Sequence, residues 1–115
     1  VSDGKLNCTV IQRSGDLLAA AASGGWDTIQ YALLVHMLAQ VCGYQVGTLV
    51  HIVNNLHIYD RHVEVVKEVM ENPEYPSPVL KLNPEVKDFY AFTEDDFELV
   101  DYQSTKLATR FEVAE

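Results

Sequence analysis

Positively charged residues are scarce in this sequence. Its 115 residues include 8 Lys and Arg against 17 Asp and Glu, which gives a formal net charge of −9. A protein that binds DNA or an anionic lipid surface needs a basic face to neutralise phosphates. The composition therefore argues against DNA and membranes as partners, and an anionic ligand would need a local site.

Cysteine is also rare, and the sequence lacks the motifs of structural metal sites. Cys8 and Cys42 are the only cysteines, and there is no CxxC, no HExxH and no zinc-type cluster. Both lie in apolar runs, which predicts two buried free thiols in a reducing compartment and no metal. Cys8 has no basic neighbour to stabilise a thiolate, so it is a poor candidate nucleophile.

No apolar run is long enough for a membrane span. The longest, residues 29–42, is interrupted by Gln30, His36 and Gln40, whereas a bilayer-spanning helix needs roughly 20 apolar residues. We therefore expect a cytoplasmic protein. His36 lies in the middle of this run, which favours a core or interface histidine.

The first half of the sequence predicts a strand, a helix and a second strand. Residues 5–14 and 47–59 have strand patterns, the first with clear alternation. The helix spans residues 26–43, with Asp27 as its N-cap, Gln30 completing a capping box and Gly43 at its end. Its middle, residues 31–35, is apolar all round and should be buried on most sides.

The second half is less regular. Residues 60–72 predict a helix capped by Asp60, and a proline-rich connector, residues 73–78, separates it from a short strand at residues 79–82. Residues 88–102 are aromatic and acidic, which indicates strands with turns. These patterns predict a fragment of an α+β or α/β chain, with no domain boundary in the sequence.

Residues 12–16, QRSGD, end the first strand with groups that could hold an anion. Arg13 offers a fork of donors, Ser14 a hydroxyl and Gly15 a close backbone approach, which suits a phosphate. The alternative is a polar strand exit in which Arg13 pairs with Asp16.

A second polar group lies near the end of the second strand. Strand alternation puts Asn55, His57 and Tyr59 on one face, where they could bind sugar hydroxyls or form a half-buried polar surface. Asp27 could cap its helix, contact a ligand, or do both. His51 and His62 have no partner that the sequence identifies.

At these residues the sequence resembles the thymidylate synthase family. The resemblance runs in order through QRSGD, QYALLVHMLAQVCGYQVGTLVH, HIYDRH and NPEVKDFYAFTEDDFEL. It implies an α+β fold of the α/β sandwich type, with a twisted mixed sheet packed with helices. Residues 1–115 would then be a C-terminal fragment of a single catalytic domain. The family converts dUMP to dTMP with 5,10-methylenetetrahydrofolate as cosubstrate, and works as a homodimer whose sheets pack back to back.

The resemblance also implies where the substrate binds. Arg13 and Ser14 correspond to the phosphate ligands, and Gln12 lies near the catalytic cysteine. His57 and Tyr59 correspond to the pair that holds the deoxyribose 3′-hydroxyl. The catalytic cysteine itself belongs to a segment expected before Val1, so we expect the 115-residue chain to be an inactive, self-associating fragment.

Folate binding is implied at two places. Asp16 corresponds to the carboxylate that contacts the pterin. Residues 111–115 resemble the C-terminal segment that closes over folate, although Glu115 stands where the family usually has an apolar residue. The loop of residues 19–25 is longer than in the form of the family that this chain most resembles.

Two residues depart from the family pattern. Asn55 stands where the family usually has Asp, and Asp27 where it usually has Asn. An amide can accept from uracil N3–H and donate to O4, whereas an ionised Asp27 only accepts and would suit the amino group of cytosine. Thymidylate synthase is therefore the first hypothesis, dCMP hydroxymethylase on the same scaffold the second, and a non-catalytic nucleotide-binding relative the third.

Overall fold

The computed structural model describes residues 1–21 and 25–110, except for the side chains of residues 20 and 21. Predictions that concern residues 22–24 and 111–115, including Glu115, lie outside the described residues. The strands are β1 (Lys5–Gln12), β2 (Gly15–Asp16), β3 (Gln45–Val53), β4 (Leu56–His57), β5 (Val79–Leu82) and β6 (Phe97–Val100). The α-helices are α1 (Trp26–Cys42) and α2 (Val63–Glu71), and Leu17–Ala21 form a π-helical turn.

A parallel pair of strands joined by a helix forms the first half of the chain. β1 pairs with β3, and α1 connects them and packs against both. A parallel connection needs such a crossover, because the chain must return to the same end of the sheet. The inward residues of β1 alternate with exposed ones, and Val10, Val35 and Ala39 are buried between sheet and helix. The predicted order of strand, helix and strand is thus confirmed.

A β-bulge shifts the pairing of β1 with β3 near Gly47. Leu6 pairs with Val46 but Cys8 pairs with Leu49, so β3 contains one extra residue at this point. The side chain of Asn7 accepts a hydrogen bond from the backbone N–H of Thr48 at 2.9 Å. This bond supplies a partner where the bulge interrupts the ladder.

The cap predicted for α1 is wrong. Gly25, in the left-handed region with φ 62°, occupies the N-cap position, and no side chain caps the helix. Asp27 lies inside the first turn instead, where its carboxylate still faces the positive end of the helix dipole. The predicted C-terminal glycine is confirmed: Gly43, with φ 73°, donates its N–H to the carbonyls of Ala39 and Gln40.

The prediction that α1 is buried on most sides is also wrong. Val35 and Ala39 are buried, but Tyr31 is 40% exposed and its apolar neighbours are only half-buried. A two-stranded sheet covers one side of a helix, which leaves the other apolar sides of α1 accessible.

A second buried cluster lies at α2. Tyr59 is the N-cap residue of a 3₁₀ turn at Asp60–His62, and His62 is the N-cap residue of α2. The predicted capping role of Asp60 is therefore wrong. The predicted second helix therefore begins as this turn and continues as α2. Leu18, Val65 and Val66 form a buried cluster beneath it, with Leu107 packed alongside.

β5 and β6 form an antiparallel pair, and two 3₁₀ turns, Phe89–Ala91 and Glu94–Asp96, lie between them in the chain. Of the strands and turns predicted within residues 88–102, the turns are present at these two places and only β6 is extended. Asp96 accepts hydrogen bonds from the N–H and hydroxyl of Thr93 and from the Asn83 amide. These donors lower the pKa of the Asp96 carboxyl, because they stabilise its charged form.

The segment after β6 returns along α2. Ala108 donates its backbone N–H to Glu68 at 2.6 Å, and the hydroxyls of Tyr75 and Thr105 are 2.9 Å apart. The Ala108 bond lowers the pKa of Glu68. The segment is thus attached to α2 by a charge-assisted hydrogen bond.

The cysteines differ from the prediction in part. Both are free, but only Cys8 is shielded, and partly so, whereas Cys42 is exposed as the last residue of α1. Among the described residues, no helix is long and apolar enough to cross a membrane.

Replacing Gly47 by Ala should destabilise the chain by about 1–3 kcal/mol, because added side-chain atoms at a packed position force backbone shifts. An added Cβ would lie 2.7 Å from the Leu6 carbonyl oxygen, which a backbone group cannot easily vacate. Urea denaturation measures the change. Thr48→Ala, on the exposed face next to it, is the control and should cost less than about 1 kcal/mol. Equal losses in the two variants would contradict the prediction.

His36 makes the stability of the folded chain depend on pH. It is half-buried in a cavity of about 220 Å³ beside Leu33, Pro78 and Leu80, and burial lowers its pKa below 6.5. Below pH 6.5 the unfolded chain binds the proton more readily, so stability present above this pH is lost as the pH falls. In urea denaturation, wild type should lose stability relative to His36→Leu over this range. Parallel pH curves for the two proteins would contradict the assignment.

Candidate functional site

The residues singled out by the sequence lie at the carboxyl ends of β1 and β3. The segments that follow these two strands remain hydrogen-bonded to each other. The N–H of Asn54 donates to the carbonyl of Gln12 at 3.0 Å, and the N–H of Gly15 donates to the carbonyl of Asn55 at 2.9 Å. β2 then pairs with β4, which brings Asp16 opposite His57. The Arg13–Asp16 turn and the His57–Tyr59 segment are therefore neighbours.

Gln12 links this edge to the start of α1. Its Nε2 donates to Asp27 Oδ2 at 2.7 Å and to the carbonyl of Ser14 at 2.8 Å. The carboxylate of Asp27 thus points towards the sheet edge, and it does not cap α1. The structure thus brings together three predicted site residues, Gln12, Ser14 and Asp27, with Ser14 taking part through its backbone carbonyl.

His51 completes a chain of hydrogen bonds behind Asp27, which no sequence motif indicates. Its Nε2 lies 2.7 Å from Gln12 Oε1, and its Nδ1 lies 2.9 Å from the hydroxyl of Thr28. Both His51 and Gln12 are half-buried on the strand face that α1 covers. The alternation of β3 could have indicated the face, but not the partners.

Arg13 and Ser14 are exposed at the turn after β1. The alternative interpretation, in which Arg13 pairs with Asp16, is wrong: among residues 1–21 and 25–110, Arg13 forms no ion pair. Asp16 instead lies 3.6 Å from Nδ1 of His62, which is 1% exposed, and accepts the backbone N–H of Leu18 at 3.1 Å. The guanidinium is thus available to an anion while the carboxylate is held in place.

His57 and Tyr59 offer one acceptor and one hydroxyl. His57 Nδ1 lies 3.0 Å from the carbonyl of Asn55, which can only accept, so Nδ1 carries a proton and Nε2 is the acceptor of the neutral ring. The Tyr59 ring packs edge-on against His57, with centroids 5.1 Å apart, and the Arg61 guanidinium lies 5.9 Å from its centroid. These contacts orient both side chains.

The expected common strand face of Asn55, His57 and Tyr59 is not formed as predicted. The extended segment breaks at residues 54–55, and β4 contains only Leu56–His57. The side chain of Asn55 is exposed, and this residue contributes its backbone carbonyl rather than its amide. His57 and Tyr59 nevertheless contact each other, and the backbone of Tyr59 is still extended, with φ −73° and ψ 141°.

The site can bind an anion and hydroxyl groups, but it contains no activated nucleophile among the described residues. Cys8 faces the interior of the β1–α1 layer and Cys42 ends α1. The arrangement offers a guanidinium and a hydroxyl at the turn, a carboxylate at the start of α1, and an imidazole with a phenol on β4 and after it.

Comparisons with known proteins show the family to which the chain is similar. The family model described as thymidylate synthase matches residues 1–115. The thymidylate synthase of Clostridium beijerinckii is 47% identical over 105 residues, which are 90% of this chain and 39% of that protein. The thymidylate synthase of Leuconostoc mesenteroides is 40% identical over 104 residues, 90% of this chain and 31% of that protein.

A solved structure shares the fold. The thermostable thymidylate synthase A from Bacillus subtilis superimposes with a TM-score of 0.89 at 40% identity, over 98% of this chain and 39% of that one. The match confirms the α+β fold class and the resemblance on which the sequence prediction depended. The chain thus spans 39% or less of the length of these three relatives.

Proposed function

The chain belongs to the thymidylate synthase family, and we propose that it is part of a longer cytoplasmic enzyme that makes dTMP from dUMP. One observation carries the proposal: Arg13 and Ser14, the Gln12–Asp27 pair, and His57 with Tyr59 meet at one sheet edge. These groups match the three parts of a nucleotide, namely its phosphate, base and sugar. The two unbonded thiols are compatible with a reducing compartment.

The nucleotide binds by complementary chemistry. The Arg13 guanidinium and the Ser14 hydroxyl hold the phosphate, because a planar fork of donors matches phosphate oxygens. His57 Nε2 accepts the sugar hydroxyl, which the phenol of Tyr59 also contacts. Anchoring both ends fixes the ring so that it can react.

Asp16 is the proposed ligand for the cosubstrate 5,10-methylenetetrahydrofolate. A carboxylate accepts hydrogen bonds from the N–H groups of a pterin, and the contacts to His62 and to Leu18 N–H hold Asp16 in one orientation. The folate supplies the one-carbon unit and the reducing hydride when bound.

The reaction needs a nucleophile that this chain does not provide. We propose a cysteine from a segment outside the 115 residues, whose thiolate adds to C6 of the pyrimidine and so makes C5 nucleophilic. Gln12 lies where the resemblance expects a neighbour of that cysteine. The 115-residue chain alone should accordingly release no tritium from a 5-tritiated nucleotide.

Asp27 favours a second candidate function, the hydroxymethylation of dCMP. An ionised carboxylate accepts a hydrogen bond from the amino group of cytosine, whereas it repels O4 of uracil. Such a mismatch can change specificity by orders of magnitude, because buried polar groups are left unpaired.

The outer face of the β1–β3 pair supports a homodimer. Ile11, Val50 and Ile52 point away from α1 and are 69%, 44% and 45% exposed. Adjacent apolar side chains on an uncovered sheet face indicate an interaction surface. A second copy packed back to back against this face is the proposed occupant.

The base preference tests the role of Asp27. Tritium release from 5-tritiated dUMP and dCMP is measured with the complete protein and folate, for wild type, Asp27→Asn and the exposed control Asp95→Asn. Asp27→Asn should raise the dUMP-to-dCMP ratio of kcat/KM at least about tenfold, because the amide can donate to O4.

Each wild-type outcome decides between the functions. Release from dUMP supports dTMP synthesis, and release from dCMP alone supports hydroxymethylation. Release from neither substrate supports a non-catalytic nucleotide-binding relative and overturns the proposed activity. A ratio that is equal in wild type and Asp27→Asn would remove Asp27 from base recognition.

The dimer is tested by sedimentation equilibrium of the complete protein. Val50→Lys should weaken association at least about tenfold, since a buried unpaired charge at an interface is strongly unfavourable. Gln103→Lys adds the same charge to the exposed segment after β6 and should leave the mass unchanged. A monomeric wild type, or a Val50→Lys dimer of unchanged affinity, would disprove this surface.

A further inference from the structure

We propose that His51 is a positioning residue for base recognition, acting on Asp27 through the amide of Gln12. The inference deepens the proposed function and rests on it. It starts from the chain of hydrogen bonds Thr28–His51–Gln12–Asp27, whose three links measure 2.9, 2.7 and 2.7 Å. The sequence contained no motif for this chain, because its members come from β1, α1 and β3.

The orientation of the Gln12 amide is fixed by two acceptors. Its Nε2 faces the carbonyl of Ser14 at 2.8 Å and Asp27 Oδ2 at 2.7 Å. A carbonyl oxygen cannot donate, so a flipped amide would put two acceptors against each other. The amide nitrogen therefore points to Asp27, and Oε1 necessarily points to His51.

The orientation of Gln12 determines which nitrogen of His51 carries a proton. Oε1 accepts only, so Nε2 of His51 must be the donor in their 2.7 Å contact. Nδ1 then accepts from the Thr28 hydroxyl when the ring is neutral, or donates to it when the ring is charged. Because the hydroxyl serves both cases, Nε2–H remains directed at Gln12 in either charge state.

The same chain decides which oxygen of Asp27 reads the base. Oδ2 receives the Gln12 N–H, so it cannot itself carry a proton towards that donor. Oδ1 is left as the oxygen that meets the pyrimidine. When ionised it accepts from an amino group, and only when protonated could it donate to O4 of uracil.

His51 thus keeps Gln12 from turning away and leaving Asp27 free to rotate. Without a donor at this position, Oε1 of Gln12 would be a half-buried acceptor lacking its partner, which favours a different rotamer. The expected consequence is weaker nucleotide binding and weaker discrimination between bases, while the chemical step is affected less.

The test compares His51→Leu, which removes the donor, with His51→Gln, whose amide nitrogen can reach the place of Nε2. In the complete protein, kcat and KM are measured for dUMP and dCMP. His51→Leu should raise KM about tenfold and bring the dCMP-to-dUMP ratio of kcat/KM closer to one by a similar factor. His51→Gln should recover both to within about threefold. His36→Leu removes another half-buried histidine and should leave the ratio unchanged.

A second measurement does not depend on a variant that folds. Long-range ¹H–¹⁵N spectra of the wild-type protein should show a protonated, pyrrole-type Nε2 for His51. A pyridine-type Nε2 on a neutral ring would overturn the proposed chain, whatever the kinetics.

The outcomes separate this inference from the proposed function. If wild type binds neither dUMP nor dCMP by calorimetry, both the function and the inference are wrong. If it binds and His51→Leu keeps the wild-type ratio and KM, only the role of His51 is wrong. If the dCMP-to-dUMP ratio of kcat/KM moves equally close to one in His51→Leu and in His51→Gln, the hydrogen-bond donor is not the cause, which also overturns the inference.

Discussion

The parallel pairing of β1 with β3 is the constraint on which the site depends. Parallel strands end at the same edge of a sheet, and a helix that connects them runs back in the opposite direction. The carboxyl ends of β1 and β3 therefore meet the N-terminus of α1, which brings Gln12 to Asp27. The pairing continues past the strand ends through β2 and β4 and adds His57 to the same edge.

The sequence predicted the elements better than it predicted the partners. Alternation in β1 and the apolar length of α1 are local properties, and both elements lie where they indicate. The candidate site residues came from the resemblance to a family, and the structure brings three of them, Gln12, Ser14 and Asp27, into contact. Burial was overestimated for α1, because a helical pattern states how much apolar surface exists but not what covers it.

The predicted hydrogen-bond and ion-pair partners were wrong where several polar groups, distant in sequence, compete for the same side chain. Asp27 has the features of a cap, yet Gly25 takes that position and Gln12, 15 residues away, offers the carboxylate a donor. Asp16 is close to Arg13 in sequence but is held by His62 in the structure. Such choices depend on strand register and on the direction of each side chain, and a linear pattern contains neither.

The bulge near Gly47 determines which side chains of β3 face α1 and which face outwards. Because β3 carries one extra residue there, Cys8 lies opposite Leu49 and Val10 opposite His51. With an unbroken ladder, His51 would face Ile11 instead and turn its imidazole to the outer face, since a slip of one residue reverses every side chain. The insertion of one residue between Leu49 and His51, with the bulge kept, would put His51 opposite Ile11 and so do what no substitution of a site residue does. It would leave every polar group in the sequence while moving the imidazole of His51 to the opposite side of the sheet from Asp27.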